Sequence, residues 1–481
     1  LYKAPYRTVS VQKQGSDVRK LLLLPLLLAL SACSSPPVLQ APTPELPPDW
    51  RSDADAAALA PGWLDELRDP ALNALIEEAL RQNPSLAASR QQLLAAEQQV
   101  EITGAGRYPQ LSLELGTRKQ EDTERSDSLD LSLGWNVDLW GKLSADQRKA
   151  ELNRAAAEAA YEEQRQQLAA SLARNWFALQ EARMLLALYT RRQDNLGESL
   201  EIIESGYRQG LNEALDLYLA RNNLHAEAAK VAQQQQTLSE LQRELERQLG
   251  RYPAAQLTTD AQLPLIDTAI PAGQPAQILT RRPDLQQQWL ELLAADAALA
   301  SAHRDRFPAL NLSAGFGGSS DALSDLLSAG NLSWSLGASL VQTLFDAGRK
   351  AAAQDQALAQ RREQEQRWLD ALFTAFVEVE NALSARQSLQ QRHAQYLQAE
   401  ENALNAESLA FEQYRSGLES YTTVLEAQRR SLDAQTNVIN LRRQLLDNRI
   451  ELYRALGGRF AAPDMPTDGP TDGPEQEPQT P

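Results

Sequence analysis

The sequence is poor in the residues that most enzymes and metal proteins rely on: one cysteine, three histidines and two methionines in 481 residues, with aromatics at 6%. A single thiol excludes a disulfide framework, an iron–sulfur cluster and any cysteine-rich zinc site. His225, His303 and His393 stand far apart among Ala, Gln, Glu and Arg, so no metal is expected. No long Lys/Arg cluster occurs, and 64 acidic against 47 basic residues leave a formal charge of −17. A phosphate backbone needs a cationic face, which argues against a nucleic-acid partner. Also missing are a Walker-type glycine-rich loop, a nucleophile beside a base, and metal-ligand spacing on a helix; the chain is not expected to be an enzyme. The acid pairs Asp53/Asp55 and Glu77/Glu78 read as solvated faces or helix N-terminal charges.

What is abundant is Ala, Leu, Gln, Glu and Arg, the composition of long helices rather than of a compact α/β enzyme. Length alone would suggest about three globular domains.

The N-terminal text carries an address. Arg19 and Lys20 precede the apolar run Leu21 to Leu30, broken only by Pro25. As a helix it would span about 15 Å, about half a hydrocarbon core, so it reads as a signal-peptide core and not as an anchor. Leu30-Ser31-Ala32-Cys33-Ser34-Ser35 then resembles the lipobox of bacterial lipoproteins. That resemblance implies a signal peptide over residues 1–32, cleavage before Cys33, and diacylglycerol plus an N-acyl chain on Cys33 as the only attached groups. Several acyl chains would anchor the chain firmly to lipid. Ser34 where an Asp would retain the protein implies delivery to the outer membrane. Residues 33–49, with Pro36, Pro37, Pro42, Pro44, Pro47 and Pro48, read as a tether, and residues 461–481 as a disordered tail.

Between these ends the sequence is written twice. Asn83-Pro84-Ser85-Leu86 matches Arg282-Pro283-Asp284-Leu285, and Arg107-Tyr108-Pro109 matches Arg306-Phe307-Pro308, at an offset of 199. Gly141-Lys142 and Gly348-Arg349, Tyr207-Arg208-Gln209-Gly210 and Tyr414-Arg415-Ser416-Gly417, and Leu249-Gly250 and Leu456-Gly457 match at 207. The offset changes once, between Pro109 and Gly141. The two copies are assigned to residues 50–258 and 259–460.

Within each copy the apolar period switches between helix and strand. Leu111, Leu113 and Leu115, then Leu129, Leu131, Leu133, Trp135, Val137 and Leu139, alternate with polar neighbours. Leu310, Leu312, Ala314 and Phe316, then Leu332, Trp334, Leu336, Ala338 and Leu340, do the same. Period two predicts a hairpin per copy, at about 110–140 and 309–345. Proline-free helical text follows, at about 142–249 and 349–456, turned back at Gly210 and Gly417. Leu369, Leu372, Phe376, Val379 and Leu383 mark a packing seam. The hairpins suit either a small sheet in water or transmembrane strands. Export, lipidation and the Trp135, Trp140 and Trp334 rings near strand ends favour the membrane, where four strands cannot close alone and three chains would give twelve.

This order of helix, hairpin, very long helix, glycine reversal and shorter helix, twice over, is similar to the TolC family of outer-membrane efflux ducts. With its lipobox, the chain resembles the lipoprotein branch that serves resistance-nodulation-division pumps. The resemblance implies a mainly α fold with a transmembrane β-barrel: a homotrimer with a twelve-stranded barrel in outer-membrane lipid and a helical periplasmic tunnel. It implies passive conduction of drugs or other small solutes, with a periplasmic adaptor and an inner-membrane pump as partners.

It further implies that Tyr207, Arg208, Gly210 and Leu211, with Tyr414, Arg415, Gly417 and Leu418, form the periplasmic tip where the adaptor docks. Asp216, Tyr414 and Glu426 match pore-gate positions, although an ordinary solvated helix face also accounts for the two acids. Glu419 stands where some relatives carry a base and Thr423 where some carry an acid. An exit duct for type I protein secretion, and a non-conducting envelope lipoprotein, are the alternative functions.

Overall fold

The structure, a computed structural model, describes residues 46–460 except 53–61, 120, 122–124, 261, 267, 269, 322, 326, 327 and 329. The signal peptide, Cys33, most of the tether and the tail from Ala461 lie outside the described residues.

Two short helices, α1 (Trp63–Glu66) and α2 (Pro70–Gln82), precede the first series: α3 (Pro84–Ala105), β1 (Gln110–Arg118), β2 (Ser126–Val137), α4 (Lys142–Arg208) and α5 (Ala214–Gln248). A 3-10 turn, Pro275–Gln277, and α6 (Ile278–Arg281) lead to the second: α7 (Pro283–Arg304), β3 (Ala309–Ser320), β4 (Leu332–Val341), α8 (Arg349–Arg415) and α9 (Tyr421–Ala455). Corresponding helices have equal lengths: 22 residues for α3 and α7, 67 for α4 and α8, 35 for α5 and α9. At the helical rise, α4 and α8 are each about 100 Å long.

The strands stop at Val137, two residues short of the alternation's last leucine, Leu139, and at Val341, one residue past Leu340. Helix capping competes with the strand there. Asp138 accepts from the backbone N–H groups of Leu143 and Ser144, both at 2.9 Å, and Asp346 from those of Gly348 and Lys350, both at 3.1 Å. Each aspartate thus satisfies N–H groups that the first turn of a long helix leaves unbonded.

Four helix ends share one stop signal. At Gly210, Gly250, Gly417 and Gly457 φ lies between +71° and +75°. The N–H groups of Leu211, Arg251, Leu418 and Gly458 reach back five residues to the carbonyls of Gly206, Glu246, Gln413 and Tyr453 at 2.8–2.9 Å. This is the Schellman arrangement, and its left-handed residue favours glycine.

Contacts gather the chain into two compact units that cut across the duplication, each drawing on both copies. One unit comprises Ala96–Arg154 and Leu290–Gln366. Its centre is a four-stranded antiparallel sheet in the order β1-β2-β3-β4, so the hairpins join through β2 and β3 and leave β1 and β4 as edges. Register puts like against like: Leu113 faces Leu131, Leu131 faces Phe316, and Phe316 faces Trp334. One face is therefore Leu, Trp, Phe, Val and Ala through most of its length, and it is bare, with Leu113 68% and Leu336 79% exposed. The opposite face carries Ser112, Ser132, Asn136, Asn311, Ser313, Ser335 and Ser339, with glycines between them. Among the described residues no helix is long and apolar enough to cross a membrane.

The other unit comprises residues 46–95, Ala155–Trp289 and 367–460. Its core packs Leu72 and Ile76 with Leu172, Phe177, Leu372, Val379, Ile450 and Leu452, all essentially buried. Leu372, Val379 and Leu383 of the seam are buried in it, and Leu369 and Phe376 pack on its edge. The matching NPSL and RPDL texts tie helix ends together. Asn83 donates to the Gln248 carbonyl at 2.8 Å, and Arg282 to the Ala455 carbonyl at 3.2 Å, the equivalent atom of the second copy. Gly250 and Gly457 let this happen: a Cβ there would lie 2.6 Å from the Gln82 carbonyl oxygen, or 2.8 Å from the Arg281 carbonyl carbon.

Candidate functional site

The two matching reversals belong to the helical unit. Beneath them Ile203, Leu217, Ala220, Ala410, Tyr421 and Val424 form a small core of their own, apart from the main one. Above that core the backbone turns with its side chains in the open. Leu211 and Leu418 are 77% and 75% exposed, and Tyr207, Arg208 and Arg415 are exposed as well. Apart from the adjoining residues of the chain, no atom among the described residues comes within 4 Å of a Cβ built on Gly210 or Gly417. The expected docking residues thus present apolar and cationic side chains on a tight scaffold.

Of the three expected gate residues, the structure brings two together. The Tyr414 hydroxyl donates to Asp216 Oδ2 at 3.3 Å, linking α8 to the first turn of α5. The Tyr414 ring leans on Tyr421, with centroids 5.4 Å apart. Burial, and then the charge of Asp216, push the Tyr414 hydroxyl up to about 12, so it keeps its proton and remains the donor through the physiological range. Tyr421 is likewise pushed to about 12 by burial and by Asp216.

Glu426 makes different contacts. It lies on the exposed face of α9 and accepts from Arg429 at 2.9 Å and Arg430 at 2.7 Å, both of its own helix. Hydrogen bonds from Arg429, then Arg430, hold its carboxyl at about 2, so it stays ionised. Glu419 accepts from the Thr423 hydroxyl at 3.1 Å, so the two positions that depart from the family pattern pair with each other.

Further up the same helices lies a constellation that the sequence reading missed. Arg192 of α4 stands 3.7 Å from Glu227 of α5 and 3.7 Å from Glu407 of α8, and Lys230 reaches Glu227 at 3.4 Å. Nothing in the text marks these residues, because charged side chains recur every few positions along all four helices and only their convergence distinguishes them. No group of three or more His, Cys, Asp or Glu among the described residues could hold a metal ion.

With this geometry in hand, comparison with known proteins is decisive. The sequence model of the outer membrane efflux protein family matches residues 75–251 and 275–458, most of the chain. The chain belongs to that family. This outer membrane efflux protein is 30% identical to the pyoverdine export outer membrane protein OpmQ of Pseudomonas putida, over 93% of its own length and 99% of the relative's. It is 29% identical to the cation efflux system protein CusC of Escherichia coli K12, over 91% and 99%. Among solved structures, the outer membrane protein VceC of Vibrio cholerae matches with a TM-score of 0.77 at 25% identity, covering 84% of this chain and all of that one. The efflux protein is accordingly a channel component of the cell outer membrane that extends into the periplasm, and the family's members are channels rather than enzymes.

Proposed function

We propose that this outer membrane efflux protein works as a homotrimer, three four-stranded sheets closing into one twelve-stranded barrel continued by a tunnel of helices. The observation that carries this reading is the sheet: one face almost wholly apolar and exposed, the other polar, and two unpaired edges. Hydrocarbon does not tolerate free strand edges, and head-to-tail pairing of β4 with β1 of the next copy removes them all at the third copy. The Ser/Asn/Gly face then lines water.

In this reading Cys33 carries diacylglycerol and an N-acyl chain, and the reversals at Tyr207–Leu211 and Tyr414–Leu418 receive a periplasmic adaptor. An inner-membrane pump supplies the energy, and the protein conducts drugs or other small solutes passively. Asp216 and Tyr414 hold the periplasmic end closed, while Glu426 supplies negative charge that enriches cations at the narrowing.

Light scattering of the detergent-extracted protein should give a mass of three chains, and a strictly monomeric species would remove the barrel. Cys33→Ser should abolish acyl labelling while trimers still assemble; labelling that persists would refute the lipid site.

A further inference from the structure

We propose that Arg192 is a positioning residue for the gate: it latches α8 to the α4/α5 pair, about three helical turns behind the Asp216–Tyr414 contact on α5 and two behind it on α8. The inference rests on the gate reading above and adds a second, independent point of closure to it.

Register supplies the first argument. Glu407 precedes Tyr414 by seven residues on α8, and Glu227 follows Asp216 by eleven on α5. Both spacings are close to whole numbers of helical turns, so each pair shares a helix face. The two faces already joined by Tyr414 and Asp216 are thus the faces that Arg192 joins again, from a third helix.

Burial supplies the second. The Glu227 side chain is only 3% exposed and that of Arg192 only 11%, whereas Glu407 is 26% exposed and Lys230 is 50% exposed. A carboxylate taken out of water needs a nearby cation, and Arg192 is the buried one. A guanidinium fork can serve two acids at once, which a point-charged ammonium does less well. The two acids are not equally committed. Glu407 can return to water at little cost and Glu227 cannot, so the latch releases on the α8 side and Arg192 stays with α5.

Looseness supplies the third. Both ion-pair distances exceed hydrogen-bond length, and neither Arg192 Nε nor Glu227 Oε1 finds a hydrogen bond among the described residues. Beside them a groove of about 420 Å³, walled by Leu188, Leu196, Leu404, Phe411 and Leu432, separates α4 from α8 and α9. Gln428, 5% exposed, lines it with Oε1 equally unpartnered among the described residues. A tightly packed contact would resist displacement, whereas an under-satisfied ion pair beside free volume has a second arrangement within reach.

The test is single-channel recording of the full trimeric protein in planar bilayers, scoring opening frequency separately from open-channel amplitude. Glu407→Gln removes the α8 charge at a partly exposed position, so folding is spared. It should raise opening frequency about threefold, the effect of a lost ion pair, with thermal midpoint and amplitude unchanged. Arg192→Lys should give an intermediate increase. Tyr414→Phe, which removes only the gate hydroxyl, should act alone in the same direction, and its combination with Glu407→Gln should exceed either. If Tyr414→Phe opens the channel and Glu407→Gln does not, the latch is overturned while the gate stands. Silence from both variants overturns both readings. A lowered midpoint without more openings in Glu407→Gln makes the network structural and also overturns the latch.

Discussion

The two ends of the long helix pairs use the same stop signal in opposite surroundings. At Gly250 and Gly457 the left-handed residue is pressed against the backbone that ends α2 and α6, while at Gly210 and Gly417 it faces open space. Charges follow the same division. At the packed end Arg449 and Arg282 are buried, Arg449 bonding both the hydroxyl and carbonyl of Thr268 and Arg282 shared among Asp284, Glu378 and a helix carbonyl. At the tip Arg208, Arg415 and Glu426 are wet. One local motif therefore packs the helices against backbone at one end and leaves them facing open space at the other.

The largest effect that would break this comparison is at Gly457. Alanine there combines left-handed strain with a Cβ 2.7 Å from that of Arg281, and Gly457→Ala should destabilise by about 2–4 kcal/mol. Thermal unfolding of the two variants side by side is the measurement: Gly417→Ala, with strain but no clash, should lose only about 1 kcal/mol. Equal losses would mean that the surroundings do not matter.

Next in size is a pH effect confined to the helical unit. Glu181 of α4 lies against Arg443 of α9 at 2.7 Å, and Arg443 also holds Asp447. Burial outweighs the pull of Arg443 and raises the Glu181 carboxyl to about 7. Because the folded-state value is raised, the native state binds the extra proton. Its contribution to stability is complete below about 4.5 and is lost as pH rises through about 7. In Glu181→Gln this decline should vanish, leaving the variant more stable by about 2–3 kcal/mol at pH 8 and no different at pH 4.5. Denaturation midpoints across that range decide it, and a parallel pair of curves would refute the assignment. No such slope is expected from Glu426, which stays ionised down to about 2.

The sequence disclosed what is one-dimensional. Repeat spacing located the offset change in the first hairpin segment, alternation located the strands, YRxG located the reversals and LG the ends of the returning helices, because each depends on neighbours along the chain. It could not show that the compact units cut across the two copies, since that depends on which helix segments meet. Nor could it show that Asn83 and Arg282, unlike in size and charge, touch equivalent carbonyls. At the candidate site, likeness to a family pointed to Asp216, Tyr414 and Glu426 together, yet within the chain only the first two touch. Arg429 and Arg430 sit three and four residues from Glu426, where helical geometry brings them within reach, so the local pairing occupies it.

That division gives the smallest and sharpest prediction. Tyr414→Phe deletes a single half-buried hydroxyl that joins α8 to α5, so it should change how often the channel opens and leave its ion preference alone. Glu426→Gln removes an exposed charge bound only within its own helix, so it should leave opening frequency unchanged and lower cation preference by roughly twofold, as one neutralised carboxylate per chain at a water-filled narrowing would. Reversal potentials under a salt gradient report the second quantity and event counts the first. If Glu426→Gln raised opening frequency as much as Tyr414→Phe, then Glu426 would hold the closed state across subunits. The tip would have to be redrawn as one network instead of a latch with a charged rim.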